Sequence, residues 1–299
     1  MTPENVLATP PKVLTQKQRE FYFEYGYLLL EGMISDTWIA SLRAATTEVI
    51  NESSKISKSD ETWDLEPGHS KEHPRLRRLS SPNDHNPAYW EYASQSVVPD
   101  IVSDLVGPNV KFHHSKINFK WADGGEEVKW HQDIGFWPHT NYGPCTVGTY
   151  IYDCGMEQGP VGMIPGSHNG ELFDQYSDDG EWIGCLRQKD AENLDTSKAV
   201  YLDGPAGSLT IHNCRMIHGS KPNNSDVVRP LLLNIYAPAD AMPYTHNPLY
   251  SKYDQAIVRG EAQRWAHHDP RTCLMPPDWS GGYSSIFALQ QEEDWKAAE

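Results

Sequence analysis

The chain of 299 residues carries 41 acidic and 25 basic side chains, which gives a formal net charge of −16. That charge repels nucleic acids and anionic membrane surfaces, and no apolar run is long enough to cross a bilayer, so neither partner is expected. The five cysteines are scattered without a C-x-x-C pair, which argues against a disulfide framework or structural zinc and favours a reducing, cytoplasmic location.

The N-terminal third of the sequence alternates helical patterns with polar segments. Residues 1–13 are polar, contain three prolines and lack the apolar core of a signal peptide, so they predict a flexible tail. The charged, proline-rich stretch 51–87 predicts a long loop that could act as a lid. Helices are predicted over 16–25, ended by Gly26, from Ser35 or Asp36 to about residue 50, and over 88–106 with a break at Pro99; a buried strand is predicted over 27–30.

The pattern changes at about residue 110. Short alternating or β-branched runs follow one another, separated by Gly, Pro, Asn and Asp, which is typical of a sandwich or barrel. We expect this β-rich core to extend over about 110–240 within a single catalytic domain of residues 1–299, with 169–197 as a surface excursion. The predicted strands are 111–121, 128–135, 146–153, 161–165, 199–202, 208–212 and 231–236.

A possible metal site is marked by Trp130-His131-Gln132-Asp133. Residues two apart on a strand share a face, so His131 and Asp133 are predicted to bind one metal ion while Gln132 points away. His218 offers a second imidazole 85 residues after Asp133, and Gly219 beside it permits close packing. Two imidazoles and a carboxylate form the facial triad of non-haem iron(II), which leaves positions open for 2-oxoglutarate and dioxygen.

Arg229, eleven residues after His218, completes the pattern. Alternation along the following strand places it on the same face as Leu231, Leu233 and Ile235. If that face lines a barrel interior, the guanidinium needs an anion, because an unpaired buried charge is costly. The distal carboxylate of 2-oxoglutarate is the expected partner. Pro230 removes one backbone donor, so this end of the strand is expected to lie at an edge.

Three alternatives stay open at this point. His212 can replace His218 as a ligand, although it lacks the following Gly-Ser and lies seventeen residues before Arg229. A cupin-like isomerase or dioxygenase would use the same metal without 2-oxoglutarate and would not need Arg229. A non-catalytic jelly-roll binding protein would not need the three ligands. H-x-D alone is a weak signal, and the ordered conjunction of the motifs favours the oxygenase.

With these motifs in this order, the sequence resembles the phytanoyl-CoA dioxygenase family. The resemblance covers roughly residues 15–240. It rests on His131-Gln132-Asp133, on Gly-Met-Ile-Pro-Gly-Ser-His at 162–168, on His218-Gly219-Ser220 through Arg229, and on the helix–strand opening at 21–35. The resemblance implies a mainly β fold, a double-stranded β-helix (jelly-roll, cupin-like) core with flanking α-helices.

The resemblance also implies the reaction and the roles of individual residues. Members of the family use iron(II), 2-oxoglutarate and dioxygen, and release succinate and carbon dioxide while oxidising a second substrate. Because Asp133 occupies the position that related halogenases vacate for chloride, hydroxylation is favoured. We expect a small-molecule substrate, a small metabolite or natural-product intermediate. The implied iron ligands are His131, Asp133 and His218, and the implied 2-oxoglutarate contacts are Arg229, Ser220, Thr149, Lys116 and Arg78.

Overall fold

The fold is built from antiparallel strands, as seen in a computed structural model that describes residues 1–122, 125–281, 283 and 285–290. The strands are β1 (Tyr27–Leu30), β2 (Trp63–Leu65), β3 (Leu76–Ser80), β4 (Val110–Lys120), β5 (Val128–His131), β6 (Cys145–Tyr150), β7 (Val161–Met163), β8 (Val200–Leu202), β9 (Leu209–Asn213), β10 (His218–Ser220), β11 (Arg229–Pro238) and β12 (Ile257–Arg259).

Two sheets divide these strands. The larger has the order β1-β9-β6-β11-β4-β3-β2, with β12 added to β4, and the smaller has the order β5-β10-β7-β8. In both sheets neighbours along the chain are often not neighbours in space, which is typical of a jelly-roll. The predicted double-stranded β-helix core with flanking helices is confirmed.

Alternate side chains of the central strand β11 face opposite sides of the larger sheet, as the alternating sequence pattern predicts. On β11, Leu232 and Tyr236 face one hydrophobic core, while Leu231, Leu233 and Ile235 face another. The first core lies beneath the helices and the second lies towards the smaller sheet. Leu231 pairs with both neighbouring strands, whereas Pro230 pairs only with β4, so the expected edge at the start of β11 is present.

The helices cover one side of the larger sheet. Their buried residues, such as Leu42, Tyr89 and Ile101, join the same core as Ile117 and Val147 of the sheet. The helices are α1 (Pro3–Ala8), α2 (Gln16–Tyr25), α3 (Asp36–Ser53), α4 (Pro82–His85), α5 (Pro87–Gln95), α6 (Val98–Val106) and α7 (Gln188–Glu192). Residues 286–290 are also helical.

Three expectations about the N-terminal third are wrong. Residues 1–13 are not a loose tail, because α1 forms there and buries Val6. The stretch 51–87 contributes β2 and β3 to the larger sheet rather than forming one loop. The helical region 88–106 breaks before α6, not at Pro99, because Pro99 lies in the first turn of α6, where its missing N–H has no helical partner to lose.

None of the described helices is long and apolar enough to cross a membrane. The expectation of one catalytic domain over residues 1–299 stays a prediction, and its last nine positions lie outside the described residues.

Candidate metal centre

The predicted triad converges at one point between the two sheets. His131 ends β5 and pairs directly with His218, which begins β10. The strand predicted over 128–135 ends at His131, and Asp133 begins a 3-10 turn at Asp133–Gly135 instead of continuing the strand. That turn brings Asp133 Oδ1 to 3.8 Å from His131 Nε2 and 3.7 Å from His218 Nε2. One ligand atom from each residue lies within 4.8 Å of the others.

Both histidines are oriented for metal binding by their own backbone surroundings. His131 Nδ1 lies 2.9 Å from the Lys129 carbonyl oxygen, and His218 Nδ1 lies 2.9 Å from the Met216 carbonyl oxygen. A carbonyl can only accept, so each Nδ1 carries the proton and each Nε2 presents a lone pair to the centre. Burial lowers the pKa of His131 to about 4 and lowers that of His218 well below its usual value, which keeps both rings neutral.

The carboxylate of Asp133 is held through its other oxygen. Thr146 Oγ1 donates to Asp133 Oδ2 at 2.7 Å, and His212 Nε2 lies 3.3 Å from the same oxygen. Burial alone would raise the pKa of Asp133, but His218, His212 and Lys116 outweigh it and lower that pKa well below the usual value. The ionised Oδ1 is thus left facing the two imidazoles.

His212 is therefore beside the centre without being in the ligand triad. Its ring centroid lies 4.2 Å from that of His218, but its Nε2 contacts the outer oxygen of Asp133. The preference for His218 over His212 agrees with the one group of three ligands found among the described residues. Gly219 shows the expected close approach, since a Cβ there would lie 2.7 Å from the Val128 carbonyl oxygen.

A pair of buried cations lies at one end of the cavity that contains the triad. Arg229 and Lys120 face each other across β11 and β4, and Ser220 lines the same cavity. Arg229 Nη2 donates to the Gly159 carbonyl oxygen at 3.1 Å, and its Nε has no hydrogen-bond partner among the described residues. Burial lowers the pKa of both cations, and Arg229 lowers that of Lys120 further. Such a pair is suited to a carboxylate.

The other three residues implied by the resemblance, Lys116, Arg78 and Thr149, differ in whether they line this cavity. Lys116 lines the cavity four residues before Lys120 on the same face of β4. Arg78 is fully buried on β3, opposite Asn118 of β4, and is not among the lining residues. Thr149 does not lie where a 2-oxoglutarate contact is expected. It is buried on the opposite face of β6 from Thr146, and its hydroxyl contacts the Tyr92 hydroxyl at 2.8 Å. An odd separation along a strand reverses the face.

Four further residues of the site escaped sequence reasoning. Lys120 and Thr146 lie on predicted strands, Lys120 four residues after Lys116 and Thr146 three residues before Thr149. Ile286 and Phe287 line the cavity from the C-terminal segment, which carries no pattern that signals this position. Trp279 Nε1 donates to the Phe136 carbonyl oxygen at 2.7 Å and so ties this segment to the 3-10 turn region after Asp133.

Comparison with known proteins identifies the family. The sequence profile of the phytanoyl-CoA dioxygenase (PhyH) family matches residues 22–231. A probable alpha-ketoglutarate-dependent hypophosphite dioxygenase of Stutzerimonas stutzeri is 31% identical over 252 residues, which cover 84% of this chain and 87% of the relative. An ectoine dioxygenase of Bordetella parapertussis is 23% identical over 262 residues, with 79% and 78% of the two chains covered.

Solved structures agree in fold. EctD from S. alaskensis with 2-oxoglutarate and 5-hydroxyectoine superposes with a TM-score of 0.64 at 19% identity, covering 92% of this chain and 94% of that one. The carbocyclase SnoK from nogalamycin biosynthesis gives the same TM-score at 21% identity, covering 85% and 98%. The chain thus belongs to the phytanoyl-CoA dioxygenase family and is a 2-oxoglutarate-dependent dioxygenase that uses iron.

Proposed function

We propose that His131, Asp133 and His218 bind the iron(II) of this dioxygenase, and that Arg229 with Lys120 binds the distal carboxylate of 2-oxoglutarate. The observation that carries this proposal is the convergence of two imidazole Nε2 atoms and Asp133 Oδ1 within 4.8 Å, with both Nδ1 atoms committed to carbonyls. Arg229 and Lys120 line the same cavity, and neither makes an ion pair with a carboxylate of the described residues, which supports the co-substrate site.

The residues divide the work of the reaction. Iron and 2-oxoglutarate supply the oxidising chemistry when bound, with dioxygen as oxidant. Thr146 and His212 keep Asp133 Oδ1 directed at the metal, and the two backbone carbonyls fix the imidazole tautomers. Apolar side chains exclude water from the cavity around the triad. They are Val128, Val161, Leu231, Leu233, Ile286 and Phe287.

Charge balance favours this arrangement. Iron(II) brings two positive charges, and Asp133 with dianionic 2-oxoglutarate brings three negative charges. Arg229 supplies the cation that makes the sum neutral, which suits a buried centre. Lys120 adds one further positive charge beside the distal carboxylate, and its ammonium also donates to the backbone carbonyl oxygens of Ser220, at 3.2 Å, and Lys221.

The prime substrate is proposed to be a small molecule, a metabolite or natural-product intermediate, that is hydroxylated. The relatives are named for small substrates, hypophosphite and ectoine. Asp133 occupies the ligand position that a halogenase leaves open, which supports hydroxylation. The cavity is bounded by the C-terminal segment as well as by both sheets, which favours a compact substrate.

The site assignment is tested by anaerobic titration of the purified protein with iron(II) and then 2-oxoglutarate. A visible metal-to-ligand charge-transfer band is expected in the wild type and not in Asp133→Ala. Arg229→Met should keep iron binding but need at least about tenfold more 2-oxoglutarate, since a charge-assisted pair contributes about 1.5–3 kcal/mol.

The same titration separates the competing readings. Iron binding with no effect of 2-oxoglutarate would favour a cupin-like enzyme at this site and leave Arg229 without its proposed role. An undiminished band in Asp133→Ala would contradict the ligand assignment.

A further inference from the structure

A second cavity lies between the N-terminal helices α1 and α2 and the loops at 141–143 and 267–271. Its volume is about 480 Å³, which is enough for a small metabolite. Among the described residues, none that lines it also lines the cavity of the triad. A ligand in this second cavity would therefore be bound separately from iron and 2-oxoglutarate.

Two arginines and one tyrosine ring form a polar part of its wall. The guanidinium carbons of Arg215 and Arg271 each lie 4.6 Å from the centre of the Tyr142 ring. Arg215 is only 7% exposed, whereas Arg271 is exposed. A cation–π contact holds a guanidinium in place without using its N–H donors, so both arginines keep donors for a ligand.

The buried guanidinium of Arg215 is incompletely paired. Its Nη2 donates to the Gly170 carbonyl oxygen, but its Nε has no hydrogen-bond partner in the described part of the chain. Neither Arg215 nor Arg271 forms an ion pair with any described carboxylate. Burial lowers the pKa of Arg215, and the positive charge of Arg271 lowers it further. A guanidinium in these surroundings is stabilised by an anion.

Two carboxylates border the same cavity and are placed elsewhere. Asp269 Oδ2 accepts the backbone N–H of Tyr142 at 3.0 Å, and Asp269 Oδ1 lies 3.6 Å from His267 Nε2. Glu4 is exposed on α1. The anion that would pair with Arg215 must therefore come from outside the described residues.

Apolar side chains form another part of the wall. They come from α1, α2 and the end of α6, and include Val6, Leu7, Phe23, Leu105 and Val106. Covering this surface with an apolar group is favourable, whereas a small inorganic anion would leave it in contact with water. The cavity thus suits an organic anion better than phosphate or sulfate.

We propose that this cavity is a binding site for a small organic carboxylate with an apolar body. The carboxylate accepts hydrogen bonds from Arg215 and Arg271, since a guanidinium presents its donors in a geometry that matches a carboxylate. The body of the ligand packs on the apolar side chains of α1, α2 and α6. The site needs neither iron nor 2-oxoglutarate, so it stands or fails independently of the proposed function.

The test is isothermal titration calorimetry of the full-length protein, without metal and again with iron(II) and saturating 2-oxoglutarate under anaerobic conditions. Benzoate and hexanoate are the probes, benzamide is the neutral counterpart of benzoate, and inorganic phosphate lacks the apolar body. At least one carboxylate should bind with one-to-one stoichiometry in both forms of the protein. Benzamide and phosphate should bind at least about tenfold more weakly.

Arg215→Met should weaken binding of that carboxylate at least about tenfold. Arg271→Met should also weaken it, and because Arg271 is exposed this variant keeps the test valid if Arg215→Met fails to fold. Arg43→Met is the matched control. Arg43 also donates to a backbone carbonyl, that of Ile151 at 2.9 Å, and lies 4.7 Å from the centre of the Tyr152 ring, but it does not line the cavity. It should bind the carboxylate as wild type does.

Four results would overturn the inference. Wild-type protein that binds neither carboxylate would do so, as would equal binding of benzoate and benzamide. Loss of binding in the presence of 2-oxoglutarate or in Arg229→Met would place the carboxylate at the co-substrate site instead. Phosphate that binds as tightly as the carboxylates would contradict the contribution of the apolar wall.

Discussion

At the scale of single residues, the two threonines of β6 separate function from structure. Thr146 donates to Asp133 Oδ2, whereas Thr149 contacts the Tyr92 hydroxyl on the other face of the strand. Both are buried and both lie on β6. They are therefore a natural pair for testing how strongly the second oxygen of Asp133 must be held.

Thr146→Val is expected to reduce iron(II) affinity about 10-fold or more, because partners that orient a metal ligand typically contribute that much. Thr149→Val should leave iron affinity unchanged and lower the free energy of unfolding by about 1 kcal/mol through its lost hydrogen bond. Calorimetric titration with iron(II) and urea unfolding measure the two quantities. Equal iron affinity in the two variants would show that the Thr146 hydrogen bond does not position the carboxylate.

The three residues that converge at the proposed metal centre are predictable from sequence because the chemistry restricts residue type and order. Each of the four motif residues is ambiguous alone, but few proteins need all of them in this order: His131, Asp133, His218 and Arg229. The resemblance points to Thr149 because it indicates the strand without indicating which face of the strand turns to the cavity; Thr146, on the opposite face, is the residue that contacts Asp133. The turn at Asp133 could not be predicted either, because it depends on a contact with a distant part of the chain: the Ile134 N–H donates a hydrogen bond to the Cys214 carbonyl oxygen at 2.8 Å.

At the scale of elements, the junction between α2 and β1 is the local structure that the sequence specified most fully. Thr15 and Gln18 form a capping box at the start of α2, and Gly26 ends the helix with φ +85°. Both signals are local, so the predicted bounds 16–25 match the helix. The strands β2 and β3 were missed because their polar residues, such as Asp64 and Arg77, pair with each other inside the fold.

Gly26→Ala is expected to destabilise the protein by clearly more than the roughly 1 kcal/mol that a left-handed conformation costs alone. A Cβ at Gly26 would lie 2.4 Å from His168 Nδ1 and 2.9 Å from Met216 Sδ. Gly32 is the matched control, because it also has positive φ (+56°) but nothing within 4 Å of a Cβ. Urea unfolding compares the stability of Gly26→Ala with that of Gly32→Ala. An equal decrease in the free energy of unfolding would mean that His168 moves aside freely.

At the scale of the whole molecule, the two ends of the described chain have different tasks. The C-terminal segment closes the cavity with Ile286 and Phe287. The N-terminal segment lies on α6, where Asp104 accepts backbone N–H groups from Lys12, Val13 and Leu14 at 2.7–2.9 Å. Composition could not reveal either task, because docking of a terminus depends on a surface formed by distant parts of the chain.

Asp104→Asn therefore tests whether the N-terminal segment stabilises the fold. The carboxylate is buried and accepts three N–H groups, and an amide would turn one of its acceptors into a donor facing a donor, so a loss of about 2 kcal/mol in the free energy of unfolding is expected. In a chain lacking residues 1–14, the same substitution should cost much less, because its partners are gone; the difference is the coupling energy. The charge-transfer band should persist in both proteins, since α6 packs against the core between the helices and the larger sheet, away from the metal centre. An equal cost of Asp104→Asn in the full and shortened chains would mean that Asp104 stabilises α6 by itself and that the N-terminal contacts contribute little.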